Sequence, residues 1–553
     1  MKQNIHINED NAHFYRFNQP ENMTLEGLHG LVDGYAAYGG VKSVLFCANV
    51  QRALFDSKVW EPAYVDYDPE AGPDQPALAG LPEEARGFRY GSHGRQLLHN
   101  LWLLKDRGLD HLAIWLARCR HHQMEGWLTM RMNDCHYNDN LKSFWHCSLW
   151  REHPEYHRAS YRDEGWFETA FDFAHPEVVA HHLALVRELC GRFDFDGLEL
   201  DWVRWVRNFR PGHDERGAET ITQFMRETRK LVDEAGRRQG RELKLGVRLP
   251  ADLSSCYPLG YDVLSWAAEG LVDQVTLGIF LEQTYFDFDL RTWKRVLGPK
   301  VRVLAQVDSA MRSYPASGPK GRCMDFRLSA GSAAAALQRG ADGIYLFNEC
   351  YRSTPGDGFT EKTEGLLPLL FGQLGGVEHL RDDVSRRHAL SYAQIRGPGM
   401  SHDAVLPVLL TPVEGTYDFG RFRQCITLRI VLGPAPVRAP ATLLLGFNAE
   451  AGEISCDAIK IWINSREVSG FQVETNAAWS EPVEMETWTW RRGIPLESVR
   501  VLSARIPEGL LQDDTNIVEV LPGATAPGAL TWAEIRVGET KLPVACQEDV
   551  KAA

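Results

Sequence analysis

Short apolar segments that end in polar residues recur between residue 40 and about residue 350, and amphipathic segments with helical spacing lie between them. Eight of the apolar segments are predicted to be strands: KSVLFCAN (42–49), GWLTMRMND (126–134), FETAFDF (167–173), FDFDGLELDWVRW (193–205), LKLGVRL (243–249), DQVTLGIF (273–280), VRVLAQVD (301–308) and DGIYLFNE (342–349). Strands that alternate with helices form a parallel sheet, and eight is the number that closes a barrel. We therefore predict an α/β fold, a (β/α)8 barrel. An open doubly wound sheet is the alternative, but no GxGxxG motif follows the first predicted strand.

The pattern changes after TEGLLPLLFGQLGG (363–376) to short β-rich segments, such as CITLRIVL and ATLLLGF, separated by Pro, Gly and Asn. Such segments are typical of an antiparallel sandwich. We predict a barrel over residues 1–380 and an all-β, jelly-roll-like sandwich over residues 381–553, with the boundary near 375–390. KIWINSREV, followed by LQDDTNIVEVLP, resembles the strand pairs of galactose-binding-like jelly rolls, which implies an accessory domain of the carbohydrate-binding type.

The charge and the cysteines of the chain indicate which partners and which cellular compartment to expect. The 553 residues carry a net charge of −14 with no basic block, which argues against nucleic acid or an anionic membrane as a partner. No apolar run approaches the ~20 residues of a membrane span, and the N-terminus lacks the apolar region of a signal peptide. The eleven cysteines are scattered without a CxxC pair, which is typical of reduced thiols. We expect a cytoplasmic protein, and the sequence does not predict its oligomeric state.

Polar residues gather where the predicted strands end, at the face where barrel enzymes carry their catalytic groups. The candidates on or beside the inward face are Asn49, Arg131, Asn133, His136, Asp172, Glu199, Asp201, Arg204, Arg248, Glu282, Gln306, Asp308, Asn348 and Glu349. Any single acid has a structural explanation: Asp172 could cap the following helix, and Glu349 could pair with Arg352. The number of inward acids at one mouth is harder to assign to capping and predicts an active site.

Glu199 and Asp201 are the most unusual of these residues. Alternation along a strand places both on the face opposite Leu198 and Leu200, with their α carbons roughly 6–7 Å apart. A sheet interior does not accept two carboxylates unless they are paired, hydrated or used in chemistry.

Three motifs carry a resemblance to known proteins. RMNDCH, FDFAHPEV and FDGLELDWVR, in this order, resemble glycoside hydrolase-like TIM-barrel proteins, over most of residues 20–375. DGLELD is also similar to the strand-four motif DGxDxDxE of family 18 glycoside hydrolases: Asp196, Gly197 and Asp201 match. Glu199 stands where that family has Asp or Asn, and Val203 replaces its catalytic Glu, so its substrate-assisted mechanism is not implied. Asp201 matches the nucleophilic Asp that ends strand four in retaining α-glycosidases.

The resemblance implies a glycosidase that acts on an oligo- or polysaccharide, and such enzymes use two carboxyl groups. We expect Asp201 to be the nucleophile or to stabilise the transition state, with Glu199 orienting it or binding a hydroxyl. The acid/base would come from another strand, with Glu282 as first choice and Glu349 and Asp308 after it.

The remaining candidates are expected to bind the carbohydrate. The roles open to Arg131, Arg204 and Arg248 are to hold the nucleophile ionised or to clamp an acidic or sulfated sugar. Hydroxyl groups are expected to be bound by Asn133, His136 and Gln306. Aromatic residues crowd the long segment 136–167, where they would stack on sugar faces or pack as a lid.

No cofactor is required by this mechanism, and no spacing of histidines and carboxylates predicts a metal site. Two alternatives remain open. One is a metal-assisted hydrolase or lyase that uses Asp172, Glu199, Asp201 and His136. The other is a carbohydrate-binding protein without catalysis.

Overall fold

The computed structural model describes most of the chain. The described residues are 4–88, 94–161, 168–279, 284–311, 322–323, 326–347, 371–390, 406, 408–409, 425–448, 459–475, 480–482, 491–493, 500–521 and 529–538. Among them, no helix is both long enough and apolar enough to cross a bilayer.

The N-terminal part is a closed barrel of eight parallel strands, which confirms the predicted fold. The first ten strands are β1 (Ile5–Glu9), β2 (Val41–Cys47), β3 (Glu125–Arg131), β4 (Gly197–Asp201), β5 (Lys244–Pro250), β6 (Gln274–Gly278), β7 (Arg302–Asp308), β8 (Ala310–Met311), β9 (Arg322–Cys323) and β10 (Gly343–Phe347). All except β8 and β9 belong to the barrel, in the order β1–β10–β7–β6–β5–β4–β3–β2. The barrel closes where β1 pairs with both β10 and β2.

One predicted strand is wrong. Described residues 168–173 lie in turns, linked by an isolated bridge between His157 and Phe171, and do not join the barrel. The apolar positions that suggested a strand, Phe171 and Phe173, are buried because this loop packs against the core. The missing barrel strand is β1, whose sequence IHINE alternates apolar residues with polar residues that face the barrel interior.

Helices surround the barrel. They are α1 (Ala12–Phe17), α2 (Leu25–Ala36), α3 (Glu83–Arg86), α4 (Arg95–Asp106), α5 (His111–His121), α6 (Ser148–Glu152), α7 (Pro176–Arg192), α8 (Ala218–Gln239), α9 (Val263–Ala268), α10 (Leu290–Leu297), α11 (Phe326–Gln338) and α12 (His379–Asp382). Short 3₁₀ turns lie at Pro20–Asn22, Pro76–Leu78, Pro154–Tyr156, Glu215–Gly217, Leu253–Ser255 and Tyr257–Leu259. The first helical residue of α7 is Pro176, which suits a helix start because proline lacks the amide hydrogen that would be unpaired there.

The C-terminal part is a β-sandwich, as predicted. Its strands are β11 (Arg386–Ala389), β12 (Val408–Leu409), β13 (Ile426–Val431), β14 (Ala441–Asn448), β15 (Lys460–Ile463), β16 (Arg466–Val468), β17 (Gln472–Thr475), β18 (Ser480–Pro482), β19 (Arg491–Gly493), β20 (Arg500–Ile506), β21 (Thr515–Leu521) and β22 (Ala529–Val537). One sheet has the order β11–β22–β14–β20–β17, with β12 also on β22, and the other has the order β13–β21–β15–β16. Side chains from both sheets share one apolar core.

The sandwich packs closely against the barrel. Leu443 and Leu445 of β14 face the sandwich core, whereas Leu444 faces the barrel core together with Trp532. Small residues over 329–336 let α11 approach β11, and a Cβ on Gly331 would lie 1.9 Å from a carbonyl oxygen of that strand. The predicted boundary near 375–390 remains a prediction.

A further small sheet joins the two parts, with the order β18–β19–β9–β8. β8 begins two residues after Asp308, at the carboxyl end of β7, and β9 pairs with β19 of the C-terminal part through Arg322 and Arg491. The C-terminal part therefore extends to the barrel mouth.

Candidate functional site

The interior of the barrel holds a buried carboxyl group, that of Glu199. Thr129 of β3 and Tyr345 of β10 donate hydrogen bonds to its Oε1 at 3.0 and 2.7 Å, and Thr276 of β6 donates to its Oε2 at 3.2 Å. These donors lie on three different strands, so the side chain points into the barrel as alternation requires. Burial, followed by the negative charge of Asp201, raises the pKa of Glu199 to about 7.

Asp201 lies one pleat above Glu199, at the carboxyl end of β4. Arg248 of β5 donates from Nη1 to both carboxylate oxygens, at 2.8 and 2.9 Å, and the Val203 amide donates to Oδ1 at 2.9 Å. Arg204 Nε lies 3.4 Å from Asp201 Oδ2. Two guanidinium groups therefore compensate the charge of this carboxylate.

The guanidinium groups beside Asp201 are themselves positioned by neighbouring strands. Arg248 Nε donates to Gln306 Oε1 at 2.8 Å, and Gln306 Nε2 donates to Asp308 Oδ2 at 3.4 Å. The ring of Phe347 lies 4.0 Å from the Arg248 guanidinium carbon and 4.6 Å from that of Arg204, in cation–π geometry. The contacts of Arg248 therefore link β5 to β4, β7 and β10.

Gly278, at the end of β6, makes room for this arrangement. A Cβ at this position would lie 2.3 Å from Gln306 Oε1 and 2.9 Å from Arg248 Nε. The absence of a side chain at Gly278 is thus what lets Arg248 and Gln306 meet.

A second charged group forms around Asp10, just beyond β1. Asp10 makes a close ion pair with Arg131 and lies 3.7 Å from Arg204. Arg131 Nη1 also donates to Asp134 at 3.0 Å, and Asp134 accepts at 2.7 Å from His136 Nδ1. Burial acts to raise the pKa of Asp134, but the charge and hydrogen bonds of His136, together with the charge of Arg131, hold it well below its usual range. Arg204 therefore bridges Asp10 and Asp201, and joins the two groups.

Three of the expected binding residues have scaffold roles here. Asn49 Nδ2 donates to the carbonyl oxygens of Val50 and Arg131, at 2.6 and 3.0 Å. Asn133 exchanges two hydrogen bonds with the backbone of Phe171. Asp172 accepts from the amide of Ala174 at 2.9 Å.

Most of the expected residues meet at the mouth, and a few lie elsewhere. The structure brings together Arg131, Glu199, Asp201, Arg204, Arg248, Gln306 and Asp308, with His136 at the edge of the group. Glu282, Asn348 and Glu349 lie outside the described residues. Asp172 is buried in the loop that was predicted to be a strand, with Arg210 at 3.7 Å.

Asp10, Tyr345 and Phe347 lie at this site but were not among the predicted site residues. Asp10 follows the strand that was not predicted, although the alternation in IHINED was a usable signal. Tyr345 and Phe347 precede Glu349 by four and two residues. Side-chain alternation along the predicted strand therefore places them on the same, inward face.

The long loop after β3 is largely packed. Phe144, Trp145 and Trp150 are buried in the barrel core cluster, so these rings pack as a lid would. Among the residues that the structure describes, no group of three or more His, Cys, Asp or Glu side chains is arranged to hold a metal ion.

No protein-family model and no curated protein matches this chain. Three similar solved structures have low scores. The α-L-fucosidase from Vibrio sp. strain EJY3 is 10% identical, with 97% of each chain covered and a TM-score of 0.36. The maltogenic α-amylase AmyB from Thermotoga neapolitana is 12% identical, with 94% of this chain and 99% of that chain covered and a TM-score of 0.35.

The third is the cycloisomaltooligosaccharide glucanotransferase from Paenibacillus sp., 8% identical with a TM-score of 0.32. The match covers 96% of this chain but only 56% of that enzyme. Scores of this size carry no conclusion about the function of the chain.

Proposed function

We propose that this protein is a glycoside hydrolase whose active site is the carboxyl-terminal mouth of the barrel. One observation carries the proposal: Asp201 ends β4 inside the barrel, directly above Glu199 and beside Arg248 and Arg204. Buried ion pairs are weak evidence for stability, because apolar residues of similar size often serve a fold as well. Their concentration at the face where barrel enzymes carry their chemistry favours a functional explanation.

Asp201 is assigned as the nucleophile, or as the carboxylate that stabilises the oxocarbenium-like transition state. Either role needs an ionised carboxylate with an oxygen that can face the sugar. Arg248 and Arg204 compensate its charge, and the amide of Val203 fixes Oδ1. Oδ2 is the oxygen turned towards Arg204, and it is our choice for the atom that approaches the anomeric carbon.

Glu199 is assigned to the floor of the site. Its three hydroxyl donors come from opposite sides of the barrel, so it fixes the position of β4 beneath Asp201. A carboxyl group with a pKa near 7 is only partly ionised at neutral pH, which limits repulsion between Glu199 and Asp201. Both groups belong to one strand and would approach the sugar from one side, so they are not assigned as the acid–nucleophile pair.

The acid/base is proposed to come from another strand, as the chemistry requires a second carboxyl group across the scissile bond. Glu282 and Glu349 keep this role as proposals from the sequence. Asp308 is the described candidate: it is fully buried at the end of β7 and is separated from Arg248 by Gln306.

The pairing of the arginines favours a neutral sugar over an acidic or sulfated one. Arg248 contacts Asp201, Arg204 lies between Asp10 and Asp201, and Arg131 contacts Asp10. An anionic group on the substrate would have to compete with these carboxylates for each guanidinium group.

The test is hydrolysis of a panel of neutral and acidic aryl glycosides and oligosaccharides by wild type and by Asp201→Asn. Asp194→Asn is the matched control, because Asp194 precedes the same strand at the opposite end of the barrel and forms ion pairs with Arg120 and Arg241. We expect activity to fall about a thousandfold in Asp201→Asn and to persist in the control. The variant should still unfold cooperatively, at a lower melting temperature, because Arg248 loses the charge of its buried partner.

Two results would contradict the proposal. Equal activity in wild type and Asp201→Asn would move the chemistry away from β4. Absence of hydrolysis across the panel, combined with a melting temperature that rises on addition of a divalent metal, would favour metal-assisted chemistry instead.

A further inference from the structure

Tyr137 has a backbone conformation that suits another residue type. It is the third residue of a turn in which the Asn138 amide donates to the Cys135 carbonyl oxygen at 3.2 Å, and its φ is 61°. Positive φ at this turn position favours glycine or asparagine, since the Cβ of other residues crowds the backbone. A tyrosine here costs conformational free energy, which the surrounding structure must offset.

The turn is held in place by a buried network. His146 Nε2 lies 3.1 Å from the carbonyl oxygen of Tyr137 and 3.0 Å from that of Asn140, and the His146 ring stacks on Trp150. Gln51, after β2, donates to Asn138 Oδ1 at 2.7 Å. These contacts hold the backbone of Tyr137, and they do not involve its ring.

The side chain of Tyr137 is partly exposed, and burial of the remainder raises the pKa of its hydroxyl group, whereas three other aromatic residues of the same loop are buried throughout. Tyr137 is 43% exposed, whereas Phe144, Trp145 and Trp150 are each less than 5% exposed. A fixed backbone that presents an exposed aromatic ring gives a binding surface at low entropic cost.

The turn is also connected to the mouth of the barrel. His136, the residue before Tyr137, is half exposed, and its Nδ1 lies 2.7 Å from Asp134, which contacts Arg131. With Nδ1 directed at Asp134, Nε2 faces the other way. The rings of His136 and Tyr137 are neighbours, with centroids 6.3 Å apart and planes tilted by 47°.

We propose that Tyr137 is a stacking platform for a pyranose ring of the carbohydrate, with His136 Nε2 beside it as a polar contact for a hydroxyl group. The choice of a carbohydrate rests on the proposed function. A pyranose has an apolar face of C–H groups that fits an exposed aromatic ring, and hydroxyl groups at its edge that fit the imidazole.

The experiment is affinity gel electrophoresis of the full chain in soluble starch, galactomannan, xylan and pectin. Wild type is compared with Tyr137→Gly, Tyr137→Phe and Tyr161→Ala. Tyr161 is the matched control, because it is a 71% exposed tyrosine of the same loop. We expect at least one polysaccharide to retard wild type, and Tyr137→Gly to weaken that binding about tenfold. Tyr137→Phe and Tyr161→Ala should stay within twofold of wild type.

The melting temperature of the Tyr137→Gly variant distinguishes a role in binding from a role in stabilising the fold. Glycine accepts the positive φ, so Tyr137→Gly should lose binding without a lower melting temperature. The proposal is overturned if no polysaccharide retards wild type, if Tyr137→Gly binds as wild type does, or if it loses binding together with a lower melting temperature. Binding that depends on Tyr137 without any hydrolysis would support the platform and contradict the glycosidase. Hydrolysis that depends on Asp201, with binding unaffected by substitution of Tyr137, would support the glycosidase and contradict the platform.

Discussion

The buried carboxyl group of Glu199 should make the stability of the protein depend on pH, and Glu199→Gln should remove that dependence. Glutamine has nearly the same shape and stays neutral at every pH. The three hydroxyl groups that donate to Glu199 can rotate to accept from an amide, so the hydrogen bonds can be kept.

The size of the effect follows from the pKa of Glu199, which is about 7 in the folded protein against 4.5 for an unperturbed glutamate. Between these values the folded state holds its proton more tightly than the unfolded chain does, so the free energy of unfolding falls as pH rises. Each pKa unit corresponds to 1.36 kcal/mol, which gives a loss of about 3 kcal/mol between pH 4.5 and pH 7. Above pH 7 the loss is complete and no further change from this group is expected.

The assay is urea unfolding followed by tryptophan fluorescence, on wild type and variant side by side at each pH from 4 to 8. The difference in unfolding free energy between the pair isolates the contribution of residue 199, because other titrating groups are shared. Glu125→Gln is the matched control. Burial acts to raise the pKa of Glu125, but the hydrogen bond and charge of Arg302 and the charge of Lys42 hold it at about 2. Its difference from wild type should therefore be constant from about pH 5.5 to pH 8, and should fall by about 0.8 kcal/mol between pH 5.5 and pH 4 as the unfolded glutamate takes up a proton, which is opposite in sign to the change expected for Glu199.

A flat difference for Glu199→Gln, within about 0.5 kcal/mol from pH 4 to pH 8, would refute the reasoning. So would a difference of the opposite sign, since it would mean that the folded state favours the ionised form.

Other parts of the structure give predictions of their own. Gly278→Ala should destabilise the protein by about 1–3 kcal/mol and reduce hydrolysis, because the new Cβ would separate Arg248 from Gln306. Gly30→Ala, in α2 with open space around it, should instead be neutral or slightly stabilising, and thermal melts of both variants would show whether space is the cause. A fragment that ends at residue 380 should aggregate, because it would uncover the face of α11 that packs on β11; size-exclusion chromatography that finds a folded monomer would contradict this.

The contacts of the charged residues at the barrel mouth could be predicted in part from the alternation of side chains along the strands. The inward face of each strand and its carboxyl end predicted that Asp201, Arg204 and Arg248 would lie in one region, and both arginines contact Asp201. One of the two roles open to Arg131 was to hold the same carboxylate ionised, but it contacts Asp10 and Asp134 instead. Its partner Asp10 follows β1, and without that strand its contacts could not be inferred.

Side-chain alternation also does not predict which polar side chains form hydrogen bonds with the backbone. Asn49 and Asn133 occupy inward positions, as residues that bind a substrate would, yet their side-chain amides donate to the backbone of neighbouring segments. Such use depends on where a distant carbonyl oxygen lies, which is set by tertiary packing. The loop over 168–173 resembles a strand in sequence for a similar reason, because alternate buried rings arise from packing as well as from a sheet.

The small sheet β18–β19–β9–β8 has a consequence for the order of folding. The barrel strands can pair once the chain has reached β10, and β9 can pair with β8, but β9 finds its second neighbour only when β19, with Arg491 opposite Arg322, has been synthesised. Contacts between such distant parts of a chain form slowly, since a long loop must close first. The rim next to Asp308 should therefore be among the last parts to become ordered, and hydrogen exchange during refolding should protect β9 later than β4.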